Sequence, residues 1–189
     1  MAERERRTMK VAVEARAEGE ARTLSGYGAV FNERTEILGL FEERIAPGAF
    51  ADAIGRDDVR ALFNHDPNHV LGRTSAGTLR LAEDETGLRY DIDPPDTQSG
   101  RDVVTLIQRG DVQGSSFSFE VSEEDWEYPK GGLPLRTIRS AKLYDVGPVT
   151  FPAYEQTTVS ARSRVHAAQV SPADEMSRER SRWALASKA

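Results

Sequence analysis

The chain has 189 residues, of which 38% are hydrophobic and 30% charged, and its formal net charge is -6. This length suits one domain of ordinary size with short tails, and the composition is that of a folded protein. The acidic balance does not favour a nucleic-acid-binding surface, which needs clustered Lys and Arg to neutralise phosphates. There is no cysteine, which excludes disulfides, thiolate metal sites and a cysteine nucleophile.

The two ends of the chain differ in composition from the middle. The first ten residues, MAERERRTMK, are charged and lead into no apolar segment, so we expect neither a secretory signal nor a membrane span. We assign residues 1–8 to a solvated N-terminal arm. Residues 163–189 contain more basic than acidic side chains and are predicted to be a disordered, basic C-terminal tail. The domain itself is then predicted at residues 9–162.

Most of this domain alternates between apolar and polar residues with period two, which predicts strands separated by turns. Strands are expected at residues 9–15, 22–31, 59–63, 70–73, 77–82, 87–92, 115–121, 135–138 and 141–149. Residues 122–133 suit an exposed hairpin or loop.

Two helices interrupt the predicted strands. A short one covers residues 47–54 and ends at Gly55. A longer one covers residues 99–109, where Ser99 and Asp102 resemble a capping box. The whole pattern indicates a mainly β domain, built as a sheet or a barrel.

One predicted strand, residues 113–121, carries a candidate nucleophile. Its two phenylalanines share a face with Ser115, which makes that face the buried one, since burying a Phe contributes about 1.5–3 kcal/mol. Ser116 and Ser118 lie on the opposite face. Ser116 is the better-presented hydroxyl, beside Gly114, whose missing Cβ would let a backbone N–H approach an oxyanion. An ordinary strand with a polar outer face is the alternative.

A serine becomes a nucleophile when an adjacent base removes its proton, and histidine is the natural base near neutral pH. His65 lies where an apolar strand opens into the turn at Asp66-Pro67, a position that suits a functional side chain. His69 in the same turn competes with it, and His166 in the tail is the weakest candidate. Pro67 opposes a helix that would bring both turn histidines to one metal ion, so no metal or cofactor is expected.

The third role is a carboxylate that orients the imidazole. Asp145 lies in an otherwise apolar strand, where its charge needs a partner to offset desolvation. The alternative is an aspartate that caps the turn at residues 147–148. Asp66, Asp111 and Glu120 also remain candidates, because the members of such a triad meet in space rather than along the chain.

Several segments follow one another in an order that is more specific than any one of them. They are Gly26-Tyr27-Gly28-Ala29-Val30-Phe31-Asn32, Glu43-Arg44-Ile45-Ala46-Pro47-Gly48-Ala49-Phe50, Asn64-His65-Asp66, Leu71-Gly72-Arg73, Gly77-Thr78-Leu79, residues 110–119 and residues 145–153. Together, over residues 9–162, they resemble the prohead (procapsid) maturation proteases of tailed bacteriophages.

The resemblance implies an α+β, mainly β fold: a small β-barrel like that of herpesvirus assemblin, with a few surrounding helices. It also implies a serine endopeptidase, in which the family's histidine falls on His65, its serine on Ser116 and its acidic residue on Asp145. Two positions depart from the family pattern. Ser118 stands where the family often has glycine, and Asp145 where it often has glutamate.

Such proteases act inside the assembling procapsid, in the host bacterial cytoplasm. The resemblance therefore implies that the scaffold, or the scaffolding region of the major capsid protein precursor, is the substrate, together with the chain itself. A homo-oligomer and a latent zymogen are both compatible with it, whereas a nucleic-acid or membrane partner is not implied. The alternatives are a catalytically inactive capsid-assembly or scaffolding factor with the same fold and, more remotely, a metal-dependent hydrolase that uses His65, His69 and Asp66.

Overall fold

The computed structural model describes residues 4–9, 12–18 and 21–152. The strands are β1 (Glu5–Met9), β2 (Glu14–Glu18), β3 (Ala21–Val30), β4 (Thr35–Ile37), β5 (Phe41–Ile45), β6 (Arg60–Leu62), β7 (Val70–Arg73), β8 (Leu79–Glu83), β9 (Gly87–Ile92), β10 (Gly114–Glu127) and β11 (Leu135–Val149). The α-helices are α1 (Ala51–Arg56) and α2 (Gln98–Arg109). In this described part of the chain, no helix is long and apolar enough to cross a membrane.

The strands form two sheets, and the larger one carries the site described below. Its seven strands include the path β1-β10-β11-β5-β4, with β6 paired to β11 and β7 paired to β6. β10 and β11 are antiparallel, whereas β5 and β6 run parallel to β11 along different stretches of it. The smaller sheet has four strands in the order β2-β3-β9-β8. Every neighbouring pair in that smaller sheet is antiparallel.

One hydrophobic core contains side chains from both sheets and both helices. Phe117 of β10 stacks on Phe119 at 4.7 Å between ring centroids and meets the edge of Phe50 at 5.7 Å. Helix α2 contributes Val103, Val104 and Ile107, all buried, because their spacing places them on one helical face. The alternation of β10 thus fixes one of its faces against the core.

The predicted mainly β architecture with two helices is confirmed, but the closed barrel is not. Both sheets are open in the described residues: β1 and β4 end the path of the larger sheet, and β2 and β8 are the edges of the smaller one. Local alternation identifies strands equally well in open and closed sheets. Closure depends on tilt and register between distant strands, which periodicity does not report.

Several element boundaries differ from the predicted ones because distant partners set them. β10 continues to Glu127 and β11 begins at Leu135, so the segment expected as an exposed hairpin or loop at residues 122–133 is the end of a long hairpin, and its first half is strand. Helix α2 is capped by Thr97, whose side chain accepts a hydrogen bond from the Gly100 N–H at 3.2 Å, rather than by Ser99. The predicted tail, residues 163–189, and His166 within it lie outside the described residues.

The N-terminal arm is the largest correction to the predicted elements. Residues 5–9, which overlap the arm predicted at 1–8, form β1 and pair antiparallel with β10, with Thr8 opposite Ser116. Glu5 is only 2% exposed. The sequence ERRTM has too few apolar residues for its alternation to be recognised, because its inward-facing side chains are charged.

A buried ionic cluster explains how such a charged strand is held. Arg136 of β11 is 1% exposed. Its Nη1 lies 3.0 Å from Glu5 Oε2 and 2.9 Å from Glu43 Oε2, and its Nε lies 2.6 Å from Glu124 Oε2. Arg7 adds two bonds to Glu43, at 2.6 and 2.9 Å. Each buried charge therefore has partners that offset its desolvation.

The pKa of Glu43 reflects this balance. Burial alone would raise the pKa of its carboxyl, but the charges and hydrogen bonds of Arg7 and Arg136 outweigh burial and hold the pKa below its usual value of 4.5. The ionised form is thus favoured in the folded protein. By linkage, its contribution to stability is complete above about pH 4.5 and is lost as the pH falls through the lower folded-state pKa.

We expect Glu43→Gln to lower the free energy of unfolding by on the order of 3 kcal/mol at neutral pH, since it removes the buried carboxylate that Arg7 and Arg136 share. The difference in unfolding free energy between Glu43→Gln and the unaltered protein should shrink as the pH falls into the acid range. Glu42→Gln is the matched control, because Glu42 lies on the same strand and pairs with Arg34 at the surface. Urea titrations at several pH values measure both, and equal losses from the two variants would contradict the cluster's role.

Candidate active site

Ser116 lies near the start of β10, where the strand is paired on both sides. It is opposite Thr8 of β1 and opposite Gly147 of β11. Its two neighbours along the strand, Ser115 and Phe117, point to the core face, so the Ser116 hydroxyl faces the other way, as the alternation predicted. This opposite face is covered as well, and Ser116 is 0% exposed.

A β-bulge in β11 brings Asp145 to the same face as Ser116. Phe119 pairs with Leu143, but the preceding residue Ser118 pairs with Asp145. β11 therefore advances two residues where β10 advances one. In a regular strand Asp145 would share the core face of Leu143, and the extra residue turns it to the opposite face. Asp145 is 1% exposed, so its carboxylate needs the partners that this face provides.

The backbone after β6 brings His65 over these two residues. β6 pairs with β11 beside Asp145, and the chain then makes a tight turn in which Asn64 and His65 have φ values of 55° and 58°. Two consecutive non-glycine residues in this region are costly, and such strain is characteristic of functional sites. The Asn64 side chain fixes the turn by accepting a hydrogen bond from the Thr150 N–H at 2.8 Å.

The three predicted site residues come together in one hydrogen-bonded chain. His65 Nε2 lies 2.6 Å from Ser116 Oγ, and His65 Nδ1 is hydrogen bonded to Asp145 Oδ1. The His65 side chain is 10% exposed and that of Asp145 is 1% exposed. A carboxylate on Nδ1 holds that nitrogen as the N–H donor and leaves Nε2 facing the hydroxyl, which is the arrangement of a serine hydrolase site.

The competing serines have other partners. Ser115 is buried and donates to the Tyr90 hydroxyl at 3.1 Å, and burial raises the pKa of that phenol. Ser118 accepts a hydrogen bond from Arg4 Nε at 2.5 Å. Gly114 was expected to let a backbone N–H approach an oxyanion. In the structure it lies against the ring of Pro152, and a Cβ at this position would be 3.1 Å from the nearest ring atom.

The other acidic candidates are also engaged elsewhere. Asp66 caps its own turn by accepting from the Asn68 N–H at 2.8 Å, Asp111 pairs with Arg109, and Glu120 accepts from the Tyr144 hydroxyl at 2.8 Å.

The competing histidine, His69, is exposed and contacts the Ser99 hydroxyl through Nδ1 at 2.8 Å. Within residues 4–9, 12–18 and 21–152, no three His, Asp or Glu side chains gather as a metal ion would require.

Three residues of the site were not predicted from the sequence, and all belong to the N-terminal segment. The carbonyl of Arg7 accepts a hydrogen bond from Ser116 Oγ at 2.8 Å. The Thr8 hydroxyl donates a hydrogen bond to Ser116 Oγ at 3.3 Å. Arg4 forms an ion pair with Asp145 through Oδ2, the oxygen that His65 does not use. Only the register of β1 on β10 reveals these contacts, and no local motif marks them.

The Ser116-His65-Asp145 hydrogen-bonded chain lies on a mainly β fold, and its order of groups is similar to that of a serine hydrolase triad. Comparison with known families makes the class specific. The model of the caudovirus prohead serine protease family matches residues 8–171, which is most of the chain, and the chain therefore belongs to that family. The resemblance read from the ordered sequence motifs is confirmed.

Two known proteins are similar to this chain, one in sequence and one in structure. The prohead protease of Enterobacteria phage HK97 is 31% identical over 153 residues, which are 78% of this chain and 63% of that protein. The chain thus spans less than two thirds of that relative's length. The solved structure of the bacteriophage T4 capsid assembly protease superposes with a TM-score of 0.47 at 10% identity, covering 77% of this chain and 98% of the T4 chain.

Gly147 sets the distance between β11 and the segment that leads to His65, and its replacement should disturb the site. Its φ is 154°, and a Cβ there would lie 2.2 Å from the backbone carbonyl oxygen of Leu62. We expect Gly147→Ala to cost about 1–3 kcal/mol of stability through overpacking and to displace the turn that carries His65.

A urea titration measures the loss of stability. The far-downfield ¹H resonance of the His65 N–H bound to the Asp145 carboxylate reports the position of the turn, and it should weaken or vanish in Gly147→Ala. Gly55→Ala is the control, since a Cβ at Gly55 meets nothing within 4 Å. An unchanged imidazole resonance in Gly147→Ala would show that the turn does not depend on this close approach.

Proposed function

We propose that this protein is a serine endopeptidase that processes capsid precursors during phage prohead maturation. The observation that carries the proposal is the hydrogen-bonded chain from Ser116 through His65 to Asp145, found in a member of the prohead serine protease family. The strained turn at His65 adds support, because its backbone conformation is costly and serves to aim the imidazole.

The proposed reaction is acyl transfer to serine and then to water. His65 Nε2 takes the proton of Ser116 Oγ as this oxygen forms a bond to the scissile carbonyl carbon. Asp145 holds the Nδ1 proton and stabilises the imidazolium. The imidazolium then protonates the leaving amine as the C–N bond breaks, and a water molecule, activated by His65, hydrolyses the acyl-enzyme and restores the Ser116 hydroxyl.

The proposed substrates are the scaffold, or the scaffolding region of the major capsid protein precursor, and the chain itself. The site of action is the interior of the assembling procapsid in the host cytoplasm. Family membership supports this assignment, as does the HK97 relative, whose name is that of a prohead protease. The proposal includes a homo-oligomer as one form in which the protein acts.

A catalytically inactive assembly factor with the same fold is the second candidate. The complete burial of Ser116 favours it, because a nucleophile out of contact with solvent cannot meet a polypeptide. The two candidates differ in whether Ser116 ever reacts, which can be tested without knowing the natural cleavage site.

Ser116→Ala should abolish cleavage of the capsid precursor and of the chain itself, a loss of roughly a million-fold in kcat where a serine nucleophile is removed. Ser115→Ala and Ser118→Ala, which alter the neighbouring hydroxyls, should retain cleavage. Coexpression with the capsid precursor, followed by mass spectrometry of the fragments, compares all three. Cleavage by Ser116→Ala together with its loss in either neighbour would assign the nucleophile to that neighbour.

Asp145→Asn should leave the fold intact but lower kcat by roughly ten-thousand-fold, since the amide no longer enforces the required imidazole tautomer. Asp111→Asn serves as the control, because Asp111 pairs with Arg109 away from the site. Single-turnover cleavage assays measure both variants. Turnover of Asp145→Asn at the unaltered rate would remove Asp145 from the mechanism.

A further inference from the structure

The bulge that turns Asp145 toward Ser116 lies beside a gap on the other edge of β11. That edge pairs with β5 as far as Ile138 and with β6 only from Asp145 onward. Among the strands in the described part of the chain, none pairs with this edge at residues 139–144. Because a buried N–H group without a hydrogen bond is costly, the N–H groups in the gap need other acceptors.

Two acceptors fill this gap, and they differ in kind. The Ala141 N–H donates to the backbone carbonyl of Ala49 at 2.9 Å. The Leu143 N–H donates to Asp57 Oδ2 at 2.8 Å. Any residue at position 49 brings a carbonyl, whereas the second acceptor is a side chain. At Leu143 the hydrogen bonding of β11 therefore depends on the identity of a distant residue, Asp57.

Leu143 is the last regular residue of β11 before the bulge. It pairs with Phe119, whereas Ser118 pairs with Asp145, so Tyr144 is the extra residue. The bond from Asp57 thus fixes the backbone immediately before the register changes. Without this bond, β11 is free to return to regular pairing, in which Asp145 would share the core face of Leu143 and leave the site.

Asp57 is itself held in place. Its side chain is only 6% exposed, and its Oδ1 accepts a hydrogen bond from Arg56 Nε at 2.8 Å. Its own N–H donates to the Ala53 carbonyl at 2.8 Å at the end of α1. Burial would raise the pKa of the Asp57 carboxyl, but the hydrogen bonds from Arg56 and from the Leu143 N–H outweigh burial and hold the pKa below its usual value of 3.8. The acceptor is therefore a carboxylate at neutral pH, which binds an N–H more strongly than a neutral oxygen does.

Asp57 acts from the edge of β11 that faces away from β10 and Ser116. Resting on the proposed function, we propose that Asp57 is a positioning residue of the peptidase. By accepting the Leu143 N–H it maintains the bulge, and the bulge keeps Asp145 on the Nδ1 of His65. Asp57 takes no part in proton transfer. What the site requires of it is a hydrogen-bond acceptor at this place.

Three variants separate the acceptor from the charge and from general stability. Asp57→Ala removes the acceptor. Asp57→Asn removes the charge but keeps an amide oxygen within reach of the Leu143 N–H. Asp58→Ala is the matched control, because Asp58 is the next residue along the chain and pairs with Arg73 at the surface.

The first test uses nuclear magnetic resonance of the full-length proteins under conditions in which each variant is folded. In Asp57→Ala the far-downfield ¹H resonance of the His65 N–H bound to Asp145 should weaken or vanish. The Leu143 amide should exchange with solvent roughly tenfold faster or more, whereas the Ala141 amide, which Ala49 holds, should not change. Asp57→Asn and Asp58→Ala should keep both signals. A residue that only stabilised the fold would leave the His65 resonance in place.

The second test measures the rate at which diisopropyl fluorophosphate phosphonylates Ser116, followed by mass. Asp57→Ala should lower this rate by on the order of a hundredfold, as small displacements of catalytic groups do, and Asp57→Asn should lower it far less. Asp57→Ala should have little further effect when it is added to Asp145→Asn, because both changes remove the same contribution.

An unchanged His65 resonance in folded Asp57→Ala would overturn the proposal. A further hundredfold loss on adding Asp57→Ala to Asp145→Asn would also overturn it, since Asp57 would then act by another route. If Asp57→Ala does not fold, Asp57→Glu takes its place under the same two criteria, because it keeps the charge but carries the acceptor one methylene farther.

Failure of every folded protein, the unaltered one included, to label at Ser116 is a different result. It would overturn the serine-peptidase function and favour the inactive assembly factor. The His65 resonance and the exchange of the Leu143 amide would still decide whether Asp57 holds the bulge.

Discussion

The antiparallel pairing of β10 with β11 is the constraint on which the site depends. It places Ser116 opposite Gly147, and its bulge turns Asp145 away from the core and toward the same face. The far edge of β11 then accepts β6 in parallel, and His65 follows three residues after that strand ends. Two adjacent strands and the turn that follows a third thus each supply one side chain, so a shift of register by one residue would separate them.

Charge, rather than apolar burial, holds the N-terminal strand in this arrangement. A strand that packs through Phe and Leu side chains is expensive to remove because its apolar surface must be hydrated again. β1 instead contributes Glu5 and Arg7 to a cluster around Arg136. Ionic contacts of this kind gain little net stability over the hydrated ions, yet they fix one geometry. Such a strand is positioned by paired charges rather than by apolar contacts.

Local sequence patterns predicted the individual strands, but they predicted little of how distant segments of the chain pair with one another. Strands β7 and β9 lie where alternation predicted them, and the faces of β10 were separated correctly by Phe117 and Phe119. Alternation could not show that a bulge follows Leu143, since an irregularity in register involves two strands. The predicted link between His65 and Ser116 came from the resemblance to a family, and the structure supplies the distance between them.

The N-terminal strand β1 was missed for a physical reason as well. Residues 5–9 look like a solvated arm because four of the five are polar or charged, and hydropathy treats charge as a sign of exposure. The partners that make burial tolerable are distant along the chain: Glu43 lies 36 residues from Arg7, and Arg136 lies 131 residues from Glu5. Burial of paired charges is a property of the folded pair, and no window of sequence contains it.

The distance along the chain between β1 and β10 has a consequence for the order of synthesis. The ribosome releases residues 4–9 first, whereas Ser116 and Asp145 emerge only after more than half of the chain has been made. Until β11 is complete, no hydrogen-bonded site exists, and when it forms, strand β1, which pairs with β10 beside Ser116, has already been made. A newly made molecule therefore has the strand that pairs beside Ser116 available before the three side chains of the site can meet.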